Sequence, residues 1–215
     1  MITHISFDLD GTLADDSYDH TVWDEEMPKL YAKENGIAVE EAERFVFAEY
    51  YKAEYIEKIS NWTDIRYWFQ RLKLDDWEGF LEKHHDKIKW YPDALSTLEE
   101  LRKDFTLILA TNASSELFKR KREELKLSKQ FSHIFSLEDF GEHRKKNDAF
   151  FNEICEKMDV KPDNVMHIGD SQGQDYDSAI EAGMYALLID RSGKKQGEHV
   201  IHSLSEIKSR LERFS

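Results

Sequence analysis

The sequence predicts an α/β protein: a Rossmann-like, doubly wound parallel sheet with an all-α domain inserted near its start. Three observations predict it. Short apolar runs of strand length recur at Ile2–Phe7, Phe105–Ala110, Phe131–Leu137, Val165–Ile168 and Tyr185–Asp190. From residue 92 onward they alternate with helical patterns, as parallel strands joined by crossover helices do. The stretch from His20 to about Trp90 shows no strand-type alternation and reads as helices throughout. Acidic residues also arrive where strands end, Asp8 and Asp10 after the first and Asp170 after the fourth. That edge is where open α/β sheets bind ligands. The reading places a core domain at residues 1–15 and 92–215 and a helical insert at residues 16–91.

Composition narrows the function classes. A chain of 215 residues with 40% hydrophobic content makes one domain, or a core with a modest insertion. The net charge of −14 argues against non-specific nucleic-acid binding and against an anionic membrane surface, but not against a small anionic substrate in a locally positive pocket. A single cysteine, Cys155, excludes an intrachain disulfide and points to a reducing, cytoplasmic home. No basic segment precedes the first strand, so no secretory signal is expected. No apolar run approaches the roughly 18 residues of a membrane span. The oligomeric state is left as monomer or homodimer.

The first strand leads into Asp8-Leu9-Asp10-Gly11-Thr12-Leu13. Gly11 breaks the strand and allows a tight turn. Continued extension would set Asp8 and Asp10 on one face, whereas a turn at Asp10 would bring its side chain round toward Asp8. Either way two acids crowd one small site, which is costly unless a cation or a proton relieves it. A hard, oxygen-seeking ion, Mg²⁺, suits such a site.

The insert reads as helices over Thr21–Asn35, Val39–Ile59, Trp62–Leu72 and Asp75–Lys87. Gly36 suits the position that ends the first. Asn61 or Thr63 would cap the third, and Asp75 or Asp76 the fourth. All five tryptophans lie in this region, chiefly as core of a small bundle, with Trp62 and Arg66 as candidates to face a substrate. Pro92 then opens a helix with the buried stripe Ala94, Leu95, Leu98 and Leu101.

The second strand ends in Thr111-Asn112-Ala113-Ser114-Ser115, which runs into a helix. Backbone N–H groups, the Thr111 hydroxyl and the Asn112 amide there form a candidate anion cradle. After the third strand and a polar loop come Lys145 and Lys146, followed by a helix opened by Asn147 or Asp148. Lysine is unfavourable at a helix start, and an anion at the same spot is one reason to keep it. The fourth strand exits through Gly169-Asp170-Ser171, with Asp175 on the next helix as a second acid. Leu204, Ile207, Leu211 and Phe214 mark a closing amphipathic helix.

Together, Asp8-Leu9-Asp10-Gly11-Thr12, Thr111-Asn112, Lys145, and Gly169-Asp170-Ser171 with Asp175 resemble the four motifs of the haloacid dehalogenase-like hydrolase superfamily, in order and at suitable strand ends. The helical insert resembles that family's C1-type cap. The resemblance implies the lysine at Lys145, with the aromatic Phe151 six positions on. Lys146 stands second and Arg144 third, because Lys146 occupies the place where the family often has proline. The second acid, Asp10, resembles the phosphatase version of the first motif rather than the dehalogenase version. The implied activity is a Mg²⁺-dependent phosphatase acting on a small phosphorylated metabolite. Asp8 would be the nucleophile that forms an aspartyl-phosphate, and Asp10 the general acid and base. Thr111, Asn112 and Lys145 would hold the phosphoryl oxygens. Asp8, Asp10 through its carbonyl, Asp170 and Asp175 would hold the metal. The rival readings are a β-phosphoglucomutase-like phosphomutase, with which His20 is compatible, a phospho-acceptor receiver domain, and a silent binding protein.

Overall fold

The computed structural model describes residues 1–59, 63–113, 115–140 and 146–212. Asn61, Trp62, Ser114, Arg144, Lys145 and Phe214 of the sequence reading lie outside these residues. The strands are β1 (His4–Phe7), β2 (Thr106–Thr111), β3 (His133–Ser136), β4 (Val165–Gly169), β5 (Tyr185–Ile189) and β6 (Val200–Ile201). The helices begin with α1 (Ser17–His20), α2 (Met27–Asn35), α3 (Val39–Tyr51), α4 (Ile65–Leu72) and α5 (Trp77–Glu82). They continue with α6 (Ala94–Leu101), α7 (Ser115–Glu124), α8 (Asp148–Met158), α9 (Ser178–Glu181) and α10 (Ile207–Leu211).

The strands form one parallel sheet in the order β3-β2-β1-β4-β5-β6. Chain order therefore reverses between β1 and β4, the switch point at which open α/β sheets leave a crevice beyond their carboxyl ends. Ile5, Phe7, Ile108, Leu109, Val165 and Ile168 are fully buried. Burial on both faces explains why these strands read as continuous apolar runs rather than alternating ones. Phe150, Phe151, Ile154 and Cys155 of α8 pack with Ala179, Ala182 and Ala186 in one core cluster. The five predicted strands are present to within two residues at each end. The two-residue β6, paired to β5 through Val200 and Ile201, is additional. It is too short to carry a periodic signal.

The chain divides into two compact units: Met1–Asp15 with Lys89–Ala113 and Leu125–Ser215, and Asp16–Ile88 with Ser114–Glu124. The first contains the sheet. The second is helical, and it includes α7, which the sequence reading places in the core. The physical reason lies in side chains of α7: Lys121 meets Asp19 at 2.5 Å, and Arg120 reaches Glu82 at 2.5 Å and the Glu78 carbonyl at 3.1 Å. These are long-range partners that no local pattern reveals.

Within the helical unit, α4 buries Ile65, Trp68, Phe69 and Leu72, the i, i+3, i+4, i+7 stripe of an amphipathic helix. Its cap is Asp64, whose carboxylate accepts from the Arg66 N–H at 2.9 Å, and not Thr63. Asp76 caps α5 through the Gly79 N–H at 3.0 Å. Gly36 ends α2 at φ +65°, as expected. The long helices predicted from Thr21 and Val39 are interrupted by π-helical segments, Thr21–Glu26 and Lys52–Ile56. A widened turn leaves the hydrophobic period nearly unchanged, so sequence pattern does not register it.

Candidate active site

The site is built in the sheet unit from the ends of β1, β2 and β4 and the start of α8. The Asp8 N–H continues the ladder by donating to the Ile168 carbonyl at 2.9 Å. Asp8 thereby stands at the switch point, beside the exit of β4 that carries Asp170. Beyond it the chain turns back at once: the Gly11 N–H donates to Ala14, and both Leu13 and Ala14 donate to the Leu9 carbonyl, each at 2.9 Å. Gly11 has φ +77°, and a Cβ placed there would lie 2.5 Å from a carboxylate oxygen of Asp170. The position demands glycine twice over, for its conformation and for its close approach.

Asp8, Asp170 and Asp175 each offer a carboxylate oxygen within 4.8 Å of the others. Asp8 and Asp175 are buried. The Lys146 ammonium lies between them, paired with Oδ1 of Asp8 and Oδ1 of Asp175. Lys146 is 3% exposed, so it is not a surface lysine despite its place beside a helix start. Asn147 next to it caps α8, accepting from the Phe150 N–H at 2.9 Å. This cap fixes the helix entry and directs the preceding residue inward.

Asn112 ties three segments together. Its Oδ1 accepts from the Lys146 N–H at 2.8 Å, and its Nδ2 donates to Gln174. Thr111, 1% exposed, accepts from the Ala113 N–H at 3.0 Å and so shapes the loop after β2. Asp175 is held in turn. Its Oδ2 accepts from the Ser171 N–H at 2.9 Å, and its Oδ1 lies 3.1 Å from Nε2 of His167. The other imidazole nitrogen of His167 meets the Ser6 hydroxyl at 2.9 Å, and the Phe151 ring lies 4.6 Å from the imidazole.

Burial pushes the Asp8 carboxyl well above the usual carboxylate range; Asp175 and Asp170 add to the rise, and Lys146 opposes it. Asp170 keeps an exposed edge, but its dense surroundings and the charge of Asp175 push it up to about 6. Burial acts on Asp175 in the same sense, yet Lys146 and His167 outweigh it and hold this carboxyl far below the usual range. Burial lowers His167, which favours the neutral imidazole. Burial would lower Lys146 as well, but Asp175 and Asp8 reverse this and keep it charged. Three carboxylates thus share one lysine, an excess of negative charge that a divalent cation relieves. The donor set is all oxygen, which suits Mg²⁺.

Of the residues expected from sequence, Asp8, Asp170, Asp175, Thr111 and Asn112 converge on this edge. Asp10 lies in the turn, bridged to Ala14. Lys145 is outside the described residues, and Lys146, its runner-up, stands in the site. Arg66 of the helical unit is clamped to Asp64 at 2.7–3.1 Å. His20 is held by Asp24 at 2.7 Å. His167, Ser6 and Gln174 escaped the sequence reading. The only available signal was one histidine inside a strand otherwise apolar from Val165 to Ile168.

The model of the haloacid dehalogenase-like hydrolase family matches residues 2–183. The chain is 25% identical over 185 residues to the GMP/IMP nucleotidase YrfG of Escherichia coli, covering 86% of this chain and 81% of that one. It is 26% identical over 222 residues to a phosphoglycolate phosphatase of Aliivibrio fischeri, covering 95% and 91%. Among solved structures, a HAD phosphatase from Thermococcus onnurineus superposes with a TM-score of 0.81 at 25% identity, covering 98% of both chains. With the acids at the switch point and the match across most of its length, this chain belongs to the haloacid dehalogenase-like hydrolase family and is an enzyme.

Proposed function

We propose that this hydrolase is a Mg²⁺-dependent phosphatase that cleaves a small phosphomonoester through an aspartyl-phosphate on Asp8. The observation that carries the reading is the triad Asp8, Asp170 and Asp175 within 4.8 Å, with the Lys146 ammonium between Asp8 and Asp175. The names of the relatives, a nucleotidase and a phosphoglycolate phosphatase, agree on phosphomonoester hydrolysis while differing in substrate.

Asp8, Asp170 and Asp175, with the Asp10 carbonyl, are the groups to hold the metal. Bound there, Mg²⁺ supplies positive charge that offsets the repulsion between a phosphoryl group and the Asp8 carboxylate. The remaining work falls to this chain's own residues. Lys146 opposes the rise that burial imposes on the Asp8 carboxyl, and with a divalent cation's charge added at the site Asp8 would stand as a nucleophilic carboxylate. One Asp8 oxygen attacks phosphorus in line with the departing alcohol. Asp10 gives that alcohol its proton, then takes a proton from the water that breaks the Asp8–phosphorus bond. Thr111, whose hydroxyl hydrogen is not used in accepting from Ala113, donates to a phosphoryl oxygen. Asn112 has one amide hydrogen beyond that given to Gln174. Lys146 takes the role that the sequence reading gave to Lys145. Positioning and electrostatics of this kind carry most phosphoryl transfers.

The test is phosphate release from an aryl phosphate and a panel of metabolite phosphates, with Mg²⁺ and with chelator, for wild type and Asp8→Asn. Release that needs Mg²⁺ and is lost in the variant supports the reading. Folded wild type that binds Mg²⁺ and releases no phosphate overturns it. Release without an added sugar bisphosphate separates hydrolysis from mutase chemistry.

A further inference from the structure

We propose that Arg191 is a positioning residue: its guanidinium holds the turn that carries Asp10 and so sets the general acid for the departing alcohol. The inference rests on the phosphatase reading and deepens it. The turn closes on itself through its N–H groups, Gly11 donating to Ala14 and both Leu13 and Ala14 to the Leu9 carbonyl. The carbonyls of Thr12 and Leu13 are left to be met from outside the turn. The Tyr91 N–H donates to the Leu13 carbonyl at 2.8 Å. Nη2 of Arg191 donates to the Thr12 carbonyl at 2.5 Å. The Thr12 side chain adds no anchor, since its hydroxyl is buried and meets no hydrogen-bond partner among the described residues. All of these residues belong to the sheet unit.

Arg191 is itself held on its other sides. Its guanidinium carbon lies 3.6 Å from the centroid of the Tyr91 ring. Nη2 and Nη1 donate to Oδ1 and Oδ2 of Asp93, at the start of α6, at 3.1 and 3.3 Å. Oδ2 of Asp93 also accepts from the Ser203 hydroxyl at 2.8 Å and the Leu204 N–H at 2.9 Å. A carboxylate fork, a ring face and a carbonyl, all met at once, suit a planar guanidinium and not an ammonium. Pairing with Asp93 alone would tie α6 to the segment after β6. Nη2 does more, because it divides between Asp93 and the turn that follows β1. Asp8 is secured separately, by the bond from its N–H to Ile168 in the sheet. Loss of the clamp therefore falls on Asp10 rather than on the nucleophile. A displacement of about 1 Å at such a group costs on the order of 10²-fold in rate.

The experiment compares wild type, Arg191→Met and Arg191→Lys at saturating Mg²⁺. It reads single-turnover release of the alcohol from nitrophenyl phosphate and from the alkyl phosphate that wild type cleaves best. Nitrophenolate departs without a proton, whereas an alkoxide needs one, and general acid catalysis is worth about 10²–10⁴-fold. Arg191→Met is expected to lose about tenfold or more on the alkyl ester beyond its loss on the aryl ester. Arg191→Lys keeps the charge beside Asp93 without the fork, and about threefold of the same preference is expected. A merely structural role would lower both esters equally. Amide hydrogen exchange gives a readout free of turnover: Leu13 and Ala14 are expected to exchange about tenfold faster in Arg191→Met, and Asp8 as in wild type. Equal losses on the two esters, no loss, or unchanged exchange at Leu13 and Ala14 overturns the inference. Wild-type release with equal losses in the variants refutes the inference alone. Folded wild type that releases alcohol from no ester refutes the phosphatase and the inference with it.

Discussion

Replacing Lys146 by methionine isolates the charge at the centre of the site. Methionine keeps an unbranched stem of similar length and adapts to irregular space, so packing is nearly retained. What is lost is the cation between Asp8 and Asp175, both buried at 6% and 1% exposure. Breaking a buried pair by removing one member costs about 3–5 kcal/mol, because the other charge is left uncompensated. In a chain of this size that lowers the midpoint of thermal unfolding by roughly 6–20 °C. Urea denaturation in the presence of chelator is the assay. Adding Mg²⁺ is expected to restore part of the loss, about 2.7 kcal/mol at a hundred times its dissociation constant. Phosphate release falls to background in Lys146→Met and persists in Lys145→Gln. Loss of less than about 1 kcal/mol together with intact turnover in Lys146→Met would refute the reasoning.

Other perturbations follow from the same contacts. Gly11→Ala puts a Cβ against the Asp170 carboxylate and strains a φ of +77°; it is expected to weaken Mg²⁺ binding at least about tenfold by titration while the sheet unit still folds. Phe151→Ala removes a fully buried ring that packs against His167, and a stability loss of about 3–5 kcal/mol is expected in denaturant. Asp93 is raised by burial, but Arg191, the Ser203 hydroxyl and the Leu204 N–H outweigh this and hold its carboxyl below the usual range. A depressed folded pKa gives stability that is complete above the unfolded value near 3.9 and is lost as pH falls through the folded one. Asp93→Asn is therefore expected to cost about 1–3 kcal/mol at neutral pH and to flatten the acid limb of the stability profile.

The sheet was legible because parallel strands buried on both faces leave continuous apolar runs, and because Gly11 and Gly169 mark the exits that carry acids. Asp8 and Asp170 were legible for the same reason: their position relative to a strand end is local information. The lysine was not. Lys145 and Lys146 are adjacent in sequence, and only the Asn147 cap and the hydrogen bond from the Lys146 N–H to Asn112, 34 residues away, show that Lys146 turns inward. His167 was hidden because its partners, Ser6 and Asp175, come from another strand and from the turn after its own. The grouping of α7 with the helical unit depended on long-range contacts of its charged side chains, Lys121 with Asp19 and Arg120 with Glu82, which no local pattern reveals. Asp64 displaced Thr63 as a cap because its neighbour Arg66 adds a second set of bonds to the same carboxylate.

The central claim is the covalent intermediate on Asp8. Its most direct test mixes the enzyme and Mg²⁺ with a phosphomonoester, quenches with acid within one turnover, and maps the peptides by mass spectrometry. The account predicts one added phosphoryl group on the peptide bearing Asp8, absent from Asp8→Asn and absent with chelator. Phosphate release with no phosphoryl group on Asp8 at any time point, or with the group on another residue, would contradict it.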